Sequence, residues 1–495
     1  MAQPQDPSPS KAAEPGRMLG YAFARDHGVA VDGGVLVTGP EATLTGLREA
    51  QRRIGLRAPL RQMDMAGFEA VLARLYHNGS REGGEEPVTF EIQEDVGSQR
   101  GRDLLEDATE APVIQLVNQL LRQAVLEGAS DLHVEPHEGG LRVRMRIDGF
   151  LQTVLDRPDV PVKRVVSRLK VMAGLDIAET RLPQDGRIPL RLGGRMIDTR
   201  VSSLPGNYGE RIVLRILDRA AGLVPLDALG LDPAQIALLE RLATIPNGVI
   251  LATGPTGAGK TTTLYSLLKL ADREERNIVT VEDPIEYDLT GISQTQINAE
   301  IGMTFAAGLR ATLRQDPDVI LVGEIRDGET ASTAAQAALT GHLVFSSLHA
   351  NNSVSAVVRL RDLGLENFLI AATLRGVIAQ RLLRRLCPDC RRGRPPDASD
   401  AAQFDRAGVA MPTVLYDPVG CAACNASGYS GRIGIFEILE IDETLREAIT
   451  DGAGEGRLWQ GALAPRDRLL GQALRVVAEG RSSLSEALRV VGDGA

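Results

Sequence analysis

The chain has 495 residues and a formal net charge of −10, and because a domain holds about 150 residues, this length predicts two to four domains. The negative charge disfavours a nucleic-acid-binding protein, since neutralising phosphates needs an excess of basic residues. The N-terminus lacks the apolar core of a signal peptide and no run of about 18 apolar residues occurs, so we expect a cytosolic protein whose membrane association goes through partners.

The first part of the chain is predicted to hold a tail, a small domain and a linker. Residues 1–17 are rich in Pro, Ser and Ala without periodicity, which predicts a disordered tail. Residues 18–85 contain a short strand, Gly34–Thr38, and a helical segment, Leu44–Ala50, so we expect a small N-terminal domain. The charged residues 86–108 are predicted to be a linker.

A second α/β domain is predicted over residues 109–220. It opens with an amphipathic helix. The pattern then changes to the period of two that is typical of a strand, in Leu141–Ile147. Two more strands are predicted at Met196–Ser202 and Arg211–Leu217, joined by a turn.

These strands carry a row of arginines within an acidic chain. Arg142, Arg144 and Arg146 alternate with apolar residues, while Arg200 and Arg215 interrupt apolar or neutral strands. One interpretation is a solvated sheet face with ion pairs between strands. The other is that arginines are donated to the phosphates of a nucleotide bound elsewhere in the chain.

After a predicted connector, residues 221–235, the nucleotide domain is expected over residues 236–495. An apolar strand, a G-x-x-x-x-G-K-T turn and a helix follow one another, which is the context that a P-loop requires. Lys260 would contact the β- and γ-phosphates, and the Thr261 hydroxyl would bind Mg²⁺. A glycine-rich connector that matches by chance is the alternative. The predicted nucleotide-binding residues are Gly254, Pro255, Thr256, Gly257, Ala258, Gly259, Lys260, Thr261 and Thr262.

Three further apolar runs predict buried strands of a parallel sheet that is covered on both faces: Asn277–Asp283, Asp318–Glu324 and Leu343–His349. Each run ends in polar residues. Because the carboxyl ends of parallel strands share the P-loop edge, these side chains should converge on the γ-phosphate. They are Glu282, Asp283, Glu324 and His349.

This convergence predicts hydrolysis rather than binding alone. Glu324 is positioned to orient or deprotonate the attacking water. The usual acid of a second nucleotide motif would stand one residue earlier, where the sequence has Gly323. We therefore expect Thr261 to hold Mg²⁺, with Glu282 or Asp283 acting through water.

Two histidines and two arginines are further candidates. His349 could sense the γ-phosphate. His342 lies about 20 Å away along the predicted strand and faces the opposite side, so the two histidines are not expected to share a metal. For His342, a role as a core or surface residue is equally compatible with the sequence. Arg310 and Arg314 lie four residues apart on a predicted helix. They could be partners for phosphate or for a neighbouring subunit, or form a solvated face.

The chain has four cysteines, in two C-x-x-C pairs. In a reducing cytosol this spacing favours tetrahedral Zn²⁺ over disulfides, and the alternative is four unconnected thiols. The predicted metal-binding insertion spans residues 387–424, and the chain beyond Leu458 is predicted to be helical. The ligands would be Cys387, Cys390, Cys421 and Cys424.

Several segments, in this order, resemble those of the secretion and pilus traffic ATPases. The start of the small domain, Tyr21–Val29, resembles the type II secretion branch. The segments are Ala129–Pro136, Arg181–Arg187, Gly254–Thr261, Val281–Glu286, Val322–Asp327, Thr340–His342 and His349–Asn352, together with the four cysteines.

The resemblance implies a RecA-like P-loop domain preceded by a PAS-like α/β domain, in a homohexamer on the cytoplasmic face of the bacterial inner membrane. It implies that ATP hydrolysis with Mg²⁺ drives pseudopilus assembly. The implied partners are a bitopic secretion protein, bound by the N-terminal domain, and a polytopic platform protein. A pilus-assembly motor, or a docking platform that does not need hydrolysis, are the alternatives.

The resemblance also implies roles for residues. Glu282 and Asp283 would belong to an Asp box, Glu324 to a Walker B motif in which Gly323 is usual, and His342 and His349 to a His box. The functional arginines of the family would be Arg200, Arg215, Arg310 and Arg314.

Overall fold

The structure, a computed structural model, describes residues 27–71 with short gaps, 90–92, 111–218 without 193–194, and 224–492 without 272–273. The predicted tail, 1–17, lies outside these residues. The chain forms two compact units, Met1–Val88 and Thr89–Ala495, which are described separately.

The first unit holds a small sheet and a helix. Its elements are β1 (Val29–Asp32), β2 (Val35–Thr38), α1 (Leu44–Ile54) and β3 (Leu60–Gln62). Strand β2 pairs antiparallel with β1 and parallel with β3. Val29, Leu36, Ala50 and Phe68 form its core. The predicted strand and helix of this region correspond to β2 and α1.

The second unit begins with an antiparallel sheet and two helices, here called the antiparallel domain (residues 90–218). The strands lie in the order β4-β8-β9-β10-β5-β6-β7 within the described residues. Their bounds and those of the helices are β4 (Phe90–Ile92), α2 (Ala111–Leu126), β5 (Asp131–His137), β6 (Gly140–Ile147), β7 (Phe150–Arg157), α3 (Val162–Met172), β8 (Gln184–Leu192), β9 (Arg195–Leu204) and β10 (Arg211–Asp218).

One face of this sheet is apolar and packs under the helices. Leu141, Val143 and Met145 of β6 are fully buried, against residues such as Leu121 of α2 and Val165 of α3. The intervening arginines of β6 take the opposite face, because successive side chains of a strand alternate. The predicted arginine-bearing strands therefore belong to a sheet with one open face.

Part of the predicted linker belongs to this sheet. Strand β4 lies within residues 86–108 and pairs antiparallel with Leu190–Leu192 of β8. Phe90 and Ile92 alternate with Glu91, a strand pattern that the surrounding charged residues obscure. Residues 90–92 of the predicted linker are therefore a strand, while the bounds of the linker stay a prediction.

The rest of the unit, here called the parallel domain (residues 224–492), is built on a second sheet. Within the described residues its order is β13-β12-β14-β15-β11-β16-β19, and every pair is parallel except β16 with β19. The predicted parallel sheet is confirmed. The strands are β11 (Gly248–Thr253), β12 (Ile278–Glu282), β13 (Ser293–Gln296), β14 (Val319–Val322), β15 (Leu343–Leu348), β16 (Leu374–Leu386) and β19 (Tyr429–Glu440), with β17 (Arg392–Arg394) and β18 (Leu415–Asp417) forming a separate hairpin.

Helices cover both faces of the parallel sheet, which explains its continuous apolar strands. Among the described residues, none of the helices has the length and apolarity needed to cross a membrane. They are α4 (Pro233–Ala243), α5 (Lys260–Leu268), α6 (Phe305–Thr312), α7 (Gly328–Leu339), α8 (Ser353–Asp362), α9 (Asn367–Thr373), α10 (Ala398–Ala407), α11 (Glu443–Thr450), α12 (Glu455–Gly461), α13 (Leu469–Ala478) and α14 (Leu484–Val491).

The turn between β6 and β7 packs against the parallel domain. The guanidinium carbon of Arg384 lies 3.7 Å from the ring centroid of Phe150 and 3.8 Å from that of Tyr429. Asp148 accepts a hydrogen bond of 3.0 Å from the backbone N–H of Gly431 and pairs with Arg432 at 3.3 Å. Stacking and ion pairing therefore hold the two domains together at this turn.

A buried ion pair in the antiparallel domain allows a test of its packing. Lys170 is fully buried and donates hydrogen bonds of 2.7 Å to the Glu210 carboxylate and to the Glu179 carbonyl. Replacing Lys170 with Met leaves a buried carboxylate without its cation, and this should cost about 3–5 kcal/mol. We expect calorimetry to show a transition of this domain at a temperature several degrees lower.

Lys163→Met is the matched control, because Lys163 is exposed on the same helix α3. It should change the free energy of unfolding by less than about 0.5 kcal/mol. An equal loss of stability in both variants would contradict a stabilising role for the buried pair.

Candidate nucleotide site

The P-loop curves at the carboxyl end of β11, between Thr253 and the start of α5. Gly257 and Gly259 have φ angles of 79° and 87°, a region in which a side chain would be strained. Gly259 is also the N-cap of α5. The loop therefore leads into a helix N-terminus, whose free N–H groups and dipole favour an anion such as phosphate.

Lys260 lies folded over this loop. Its Nζ donates hydrogen bonds of 2.9 Å to the carbonyl of Gly254 and 3.2 Å to that of Pro255. Burial lowers the pKa of Lys260, the neighbouring Glu324 acts in the opposite direction, and Arg381 lowers it further. The lysine is thus a cation held beside the loop by uncharged carbonyl partners, which negatively charged phosphate oxygens could replace.

Glu324 follows β14 and faces the P-loop region. Its carboxylate forms an ion pair with Arg326 and lies 3.6 Å from Nε2 of His349. Glu324 also influences the pKa of Lys260, as described above. The structure therefore brings Glu324 and His349 together, and His349 lines one cavity with Gly254 and Pro255 of the P-loop, as expected for residues that follow neighbouring parallel strands.

Glu282 and Asp283 lie in different environments: Glu282 ends β12 and is buried, whereas Asp283 follows the strand and is exposed. Glu282 is buried and accepts hydrogen bonds from the Tyr265 hydroxyl and, at 3.1 Å, from Gln294. Burial and the Glu282 charge raise the pKa of Tyr265, which keeps its hydroxyl a donor. The carboxylate of Glu282 thus faces the interior, in contrast to the predicted convergence, while Asp283 is exposed.

Asp283 lines a pocket of about 500 Å³ between the antiparallel and parallel domains. The antiparallel domain contributes Arg187, Arg200 and Arg215, which lie beside one another in the register of β8, β9 and β10. A row of three guanidinium groups therefore faces the loop that follows β12. Positive charges at such spacing favour an anionic ligand.

Arg200 is the most buried member of this row. Burial lowers its pKa, while the Glu286 carboxylate opposes this effect. Its Nε is buried without a hydrogen-bond partner among the described residues. Burial also raises the pKa of Glu286, and Arg200 and Arg215 counteract the increase. The pocket is thus an electrostatic contact between the two domains.

The other arginines of the antiparallel sheet are mostly paired. Arg144 donates hydrogen bonds of 2.7 and 2.8 Å to Glu135, and Arg142 and Arg146 pair with acidic residues of neighbouring strands. Arg215 itself lies 3.2 Å from Asp131. The interpretation as ion pairs between strands is therefore confirmed for most of this face.

The four cysteines form one cluster at the base of the β17–β18 hairpin. Their sulfurs all lie within 4.8 Å of one another, and three of the separations are 3.7, 3.8 and 3.8 Å. Four ligands at about 2.3 Å from a tetrahedral zinc lie about 3.8 Å apart, whereas a disulfide needs about 2.05 Å. The four thiols therefore lie in one cluster, and its spacing fits a tetrahedral metal.

Comparison with known proteins identifies the family. A family model described as type II/IV secretion system protein matches residues 106–489, and a second model, for a domain of GSPII protein E, matches residues 18–76. The chain belongs to the type II/IV secretion system protein family.

Two relatives in this family match nine tenths or more of the chain. The chain is 45% identical over 494 residues to the type II secretion system protein E of Klebsiella pneumoniae, covering 97% of this chain and 98% of that protein. It is 47% identical over 456 residues to the type II secretion system ATPase E of Vibrio cholerae, covering 90% of each.

Solved structures share the fold of this family member. A crystal structure of the pilus retraction motor PilT with bound ADP has 25% sequence identity and a TM-score of 0.50, covering 76% of this chain and 97% of that one. The predicted α/β fold with a parallel-sheet core is therefore confirmed.

Three predicted site residues lie away from the P-loop of this secretion protein. His342 precedes β15, at the opposite end from His349, and its Nδ1 lies 2.8 Å from the Ala337 carbonyl oxygen. Arg310 on α6 pairs with Glu329 at 2.6 Å, and Arg314, beyond the end of α6, donates to the Arg310 carbonyl at 2.9 Å. Within the described residues, neither arginine has a bond to the P-loop.

Two residues beside the P-loop were missed in the sequence. Gln380 donates a hydrogen bond of 2.7 Å to the Ala258 carbonyl, and the Arg381 guanidinium lies close enough to lower the pKa of Lys260. Both belong to β16, which was not predicted, because arginines and a glutamine interrupt its apolar pattern. Two features of the sequence could have indicated β16: the length of this mostly apolar segment and its position just before the first C-x-x-C pair.

Proposed function

We propose that this chain is the ATPase motor of a type II secretion system, which hydrolyses ATP to drive pseudopilus assembly and protein export. The observation that carries the proposal is the placement of the Glu324 carboxylate 3.6 Å from His349, which lines one cavity with Gly254 and Pro255 of the P-loop. A binding platform would need the P-loop alone. A carboxylate at this position adds the means to activate water.

In this proposal the P-loop binds the β- and γ-phosphates through its N–H groups, and Lys260 exchanges its carbonyl partners for phosphate oxygens. Glu324 would orient the attacking water and accept its proton. The water oxygen bonds to the γ-phosphorus as the β–γ phosphoanhydride bond breaks, and ADP and inorganic phosphate leave. His349, which lies 3.6 Å from Glu324, would link that carboxylate to the γ-phosphate. The exposed Thr261 would hold Mg²⁺, which neutralises charge that develops on the phosphates, with Asp283 acting through water.

The domain pocket suggests how hydrolysis becomes movement. Arg200 and Arg215 would contact nucleotide phosphates in one arrangement of the two domains and acidic residues such as Glu286 and Asp131 in another. Such differential contacts are what a ligand needs to shift a conformational equilibrium. In a homohexamer, Arg310, Arg314 and His342 would serve the nucleotide of a neighbouring subunit.

We also propose the partners that the family likeness implies. Residues 18–85 would bind the cytoplasmic part of a bitopic inner-membrane secretion protein, and the motor would act on a polytopic platform protein. These contacts would hold the hexamer on the cytoplasmic face of the inner membrane.

Replacing Glu324 with Gln should separate hydrolysis from binding. The amide keeps the shape of the side chain but cannot accept the proton of water, so kcat should fall by about 100-fold or more while ATP still binds. The measurements are ATP turnover and the affinity for a fluorescent ATP analogue, followed by secretion in cells that depend on this chain.

Glu366→Gln is a suitable control, because Glu366 is an exposed carboxylate in the same domain. Its turnover should match that of the unchanged chain. Full secretion by the Glu324 variant without hydrolysis would instead favour a docking platform.

We further propose that the cysteine cluster holds Zn²⁺ as a structural ion. Removing the metal should disorder residues 387–424 and leave the P-loop core folded, because the sheet has its own apolar cores on both faces. Hydrogen exchange with and without a chelator would locate the change. Global unfolding on chelation would contradict a local role for the metal.

A further inference from the structure

The strand β16 lies beside β11 and passes the P-loop. Ala379 pairs with Thr253, the last residue of β11, so Gln380 and Arg381 lie next to the loop as it leaves the sheet. An added Cβ at Gly254 would lie 2.5 Å from the Gln380 carbonyl oxygen. The P-loop therefore rests directly on these two residues.

Both polar groups of the Gln380 side-chain amide form hydrogen bonds. Gln380 is 2% exposed, its Nε2 donates a hydrogen bond of 2.7 Å to the Ala258 carbonyl, and its Oε1 accepts one of 2.8 Å from the Thr263 hydroxyl. Thr263 is itself fully buried in the first turn of α5. One side chain thus joins the P-loop to the helix that follows it.

This contact determines where a loop N–H points. In a trans peptide the C=O and the next N–H point in opposite directions. Because Gln380 holds the Ala258 carbonyl on the sheet side, the N–H of Gly259 must point away from the sheet, towards the space in which the proposed function places a phosphate. An added Cβ at Gly259 would lie 2.8 Å from Gln380 Nε2, so the close approach also requires glycine.

Arg381 makes a second connection from the same strand. Its guanidinium donates hydrogen bonds of 3.0 Å to the Gln380 carbonyl and 2.6 Å to the Asn351 carbonyl. Asn351 lies two residues after His349. Burial lowers the pKa of Arg381, Glu437 counteracts this effect, and no carboxylate accepts a hydrogen bond from it among the described residues. The guanidinium therefore ties the His349 segment to the strand that supports the P-loop.

We propose that Gln380 and Arg381 are positioning residues for the nucleotide reaction. Gln380 orients the P-loop N–H groups that bind nucleoside di- and triphosphates, and Arg381 places the segment that carries His349 relative to that loop. This inference rests on the proposed function, since it assigns residues to the same nucleotide site.

Gln380→Leu tests the first part. The leucine keeps the volume but loses both hydrogen bonds, so the loop is no longer held in its binding conformation. The dissociation constant for a fluorescent ADP analogue should rise about tenfold. Because the loop binds ground and transition states alike, KM for ATP should rise by a similar factor while kcat changes little.

Gln472→Leu is the matched control. Gln472 is 8% exposed and its amide also has both groups bonded, at 3.3 Å to the Arg466 carbonyl and 3.3 Å to the Gln235 amide, but it lies on α13. It should bind ADP as the unchanged chain does. Equal losses of ADP affinity in both glutamine variants would overturn the inference for Gln380.

Thr263→Val provides a second test of the Gln380 role if the Gln380→Leu variant does not fold. It removes the hydroxyl donor to Gln380 with little change of shape, so a loosened amide should still weaken ADP binding, by about threefold. Unchanged ADP affinity in folded Thr263→Val protein would then count against the role of Gln380.

Arg381→Gln tests the second part and should show the opposite kinetic pattern. Displacing the His349 segment should lower kcat about tenfold, with the ADP dissociation constant changed less than about threefold. Arg361→Gln is the control, because Arg361 donates to the carbonyls of Ala453 and Ile449 at 2.6 and 3.2 Å, and burial also lowers its pKa. It should lower Tm without changing kcat.

Two reference measurements separate the hypotheses. The unchanged chain should bind the ADP analogue and Lys260→Ala should not. If neither binds, the proposed function fails. If these two behave as expected but Arg381→Gln keeps full kcat and Gln380→Leu keeps full affinity, only the positioning roles are wrong.

Discussion

The site depends on one constraint, the parallel alignment of β12, β14, β15, β11 and β16. Parallel strands place their carboxyl ends at one edge of a sheet, so residues far apart in sequence follow neighbouring strands there. The P-loop leaves β11 at Thr253 and Glu324 comes just after β14. His349 follows β15, which pairs with both strands. Helices on both faces keep the strands buried and in register.

Buried polar contacts add what the sheet alone cannot supply. The amide of Gln380 and the carboxylate of Glu282 lie almost out of reach of water, and each is hydrogen-bonded on more than one side. Breaking such a contact leaves a polar group unsatisfied, which costs about 1–3 kcal/mol. These two residues therefore restrain α5 from two sides. Gln380 binds Thr263 of α5 and Ala258 of the P-loop, and Glu282 binds Tyr265 of α5.

Charge connects the two domains of the second unit. Arg200 and Arg215 act electrostatically on Glu286 of the parallel domain, while Arg384 stacks between Phe150 and Tyr429 at the β6–β7 turn. The pocket contacts are long-range and partly solvated, whereas the stacked contact is direct. An anion bound in the pocket would therefore interact with Arg200 and Arg215 without involving the stacked contact at the turn.

The sequence by itself determined the P-loop, the cysteine pairs and most strands of the parallel sheet, because each depends on residues that are close in the chain. A glycine turn, a C-x-x-C spacing and an apolar run are local patterns. The sequence also predicted that Glu324 and His349 lie at one edge of the sheet, because the carboxyl ends of parallel strands share an edge. Only the tertiary structure decided that Glu282 turns inward, that β4 joins the antiparallel sheet and that Gln380 and Arg381 touch the P-loop. These features depend on which strands become neighbours and on which side chains are enclosed, and residues far apart in the chain, such as Thr263 and Gln380, carry no sign of their contact in the sequence.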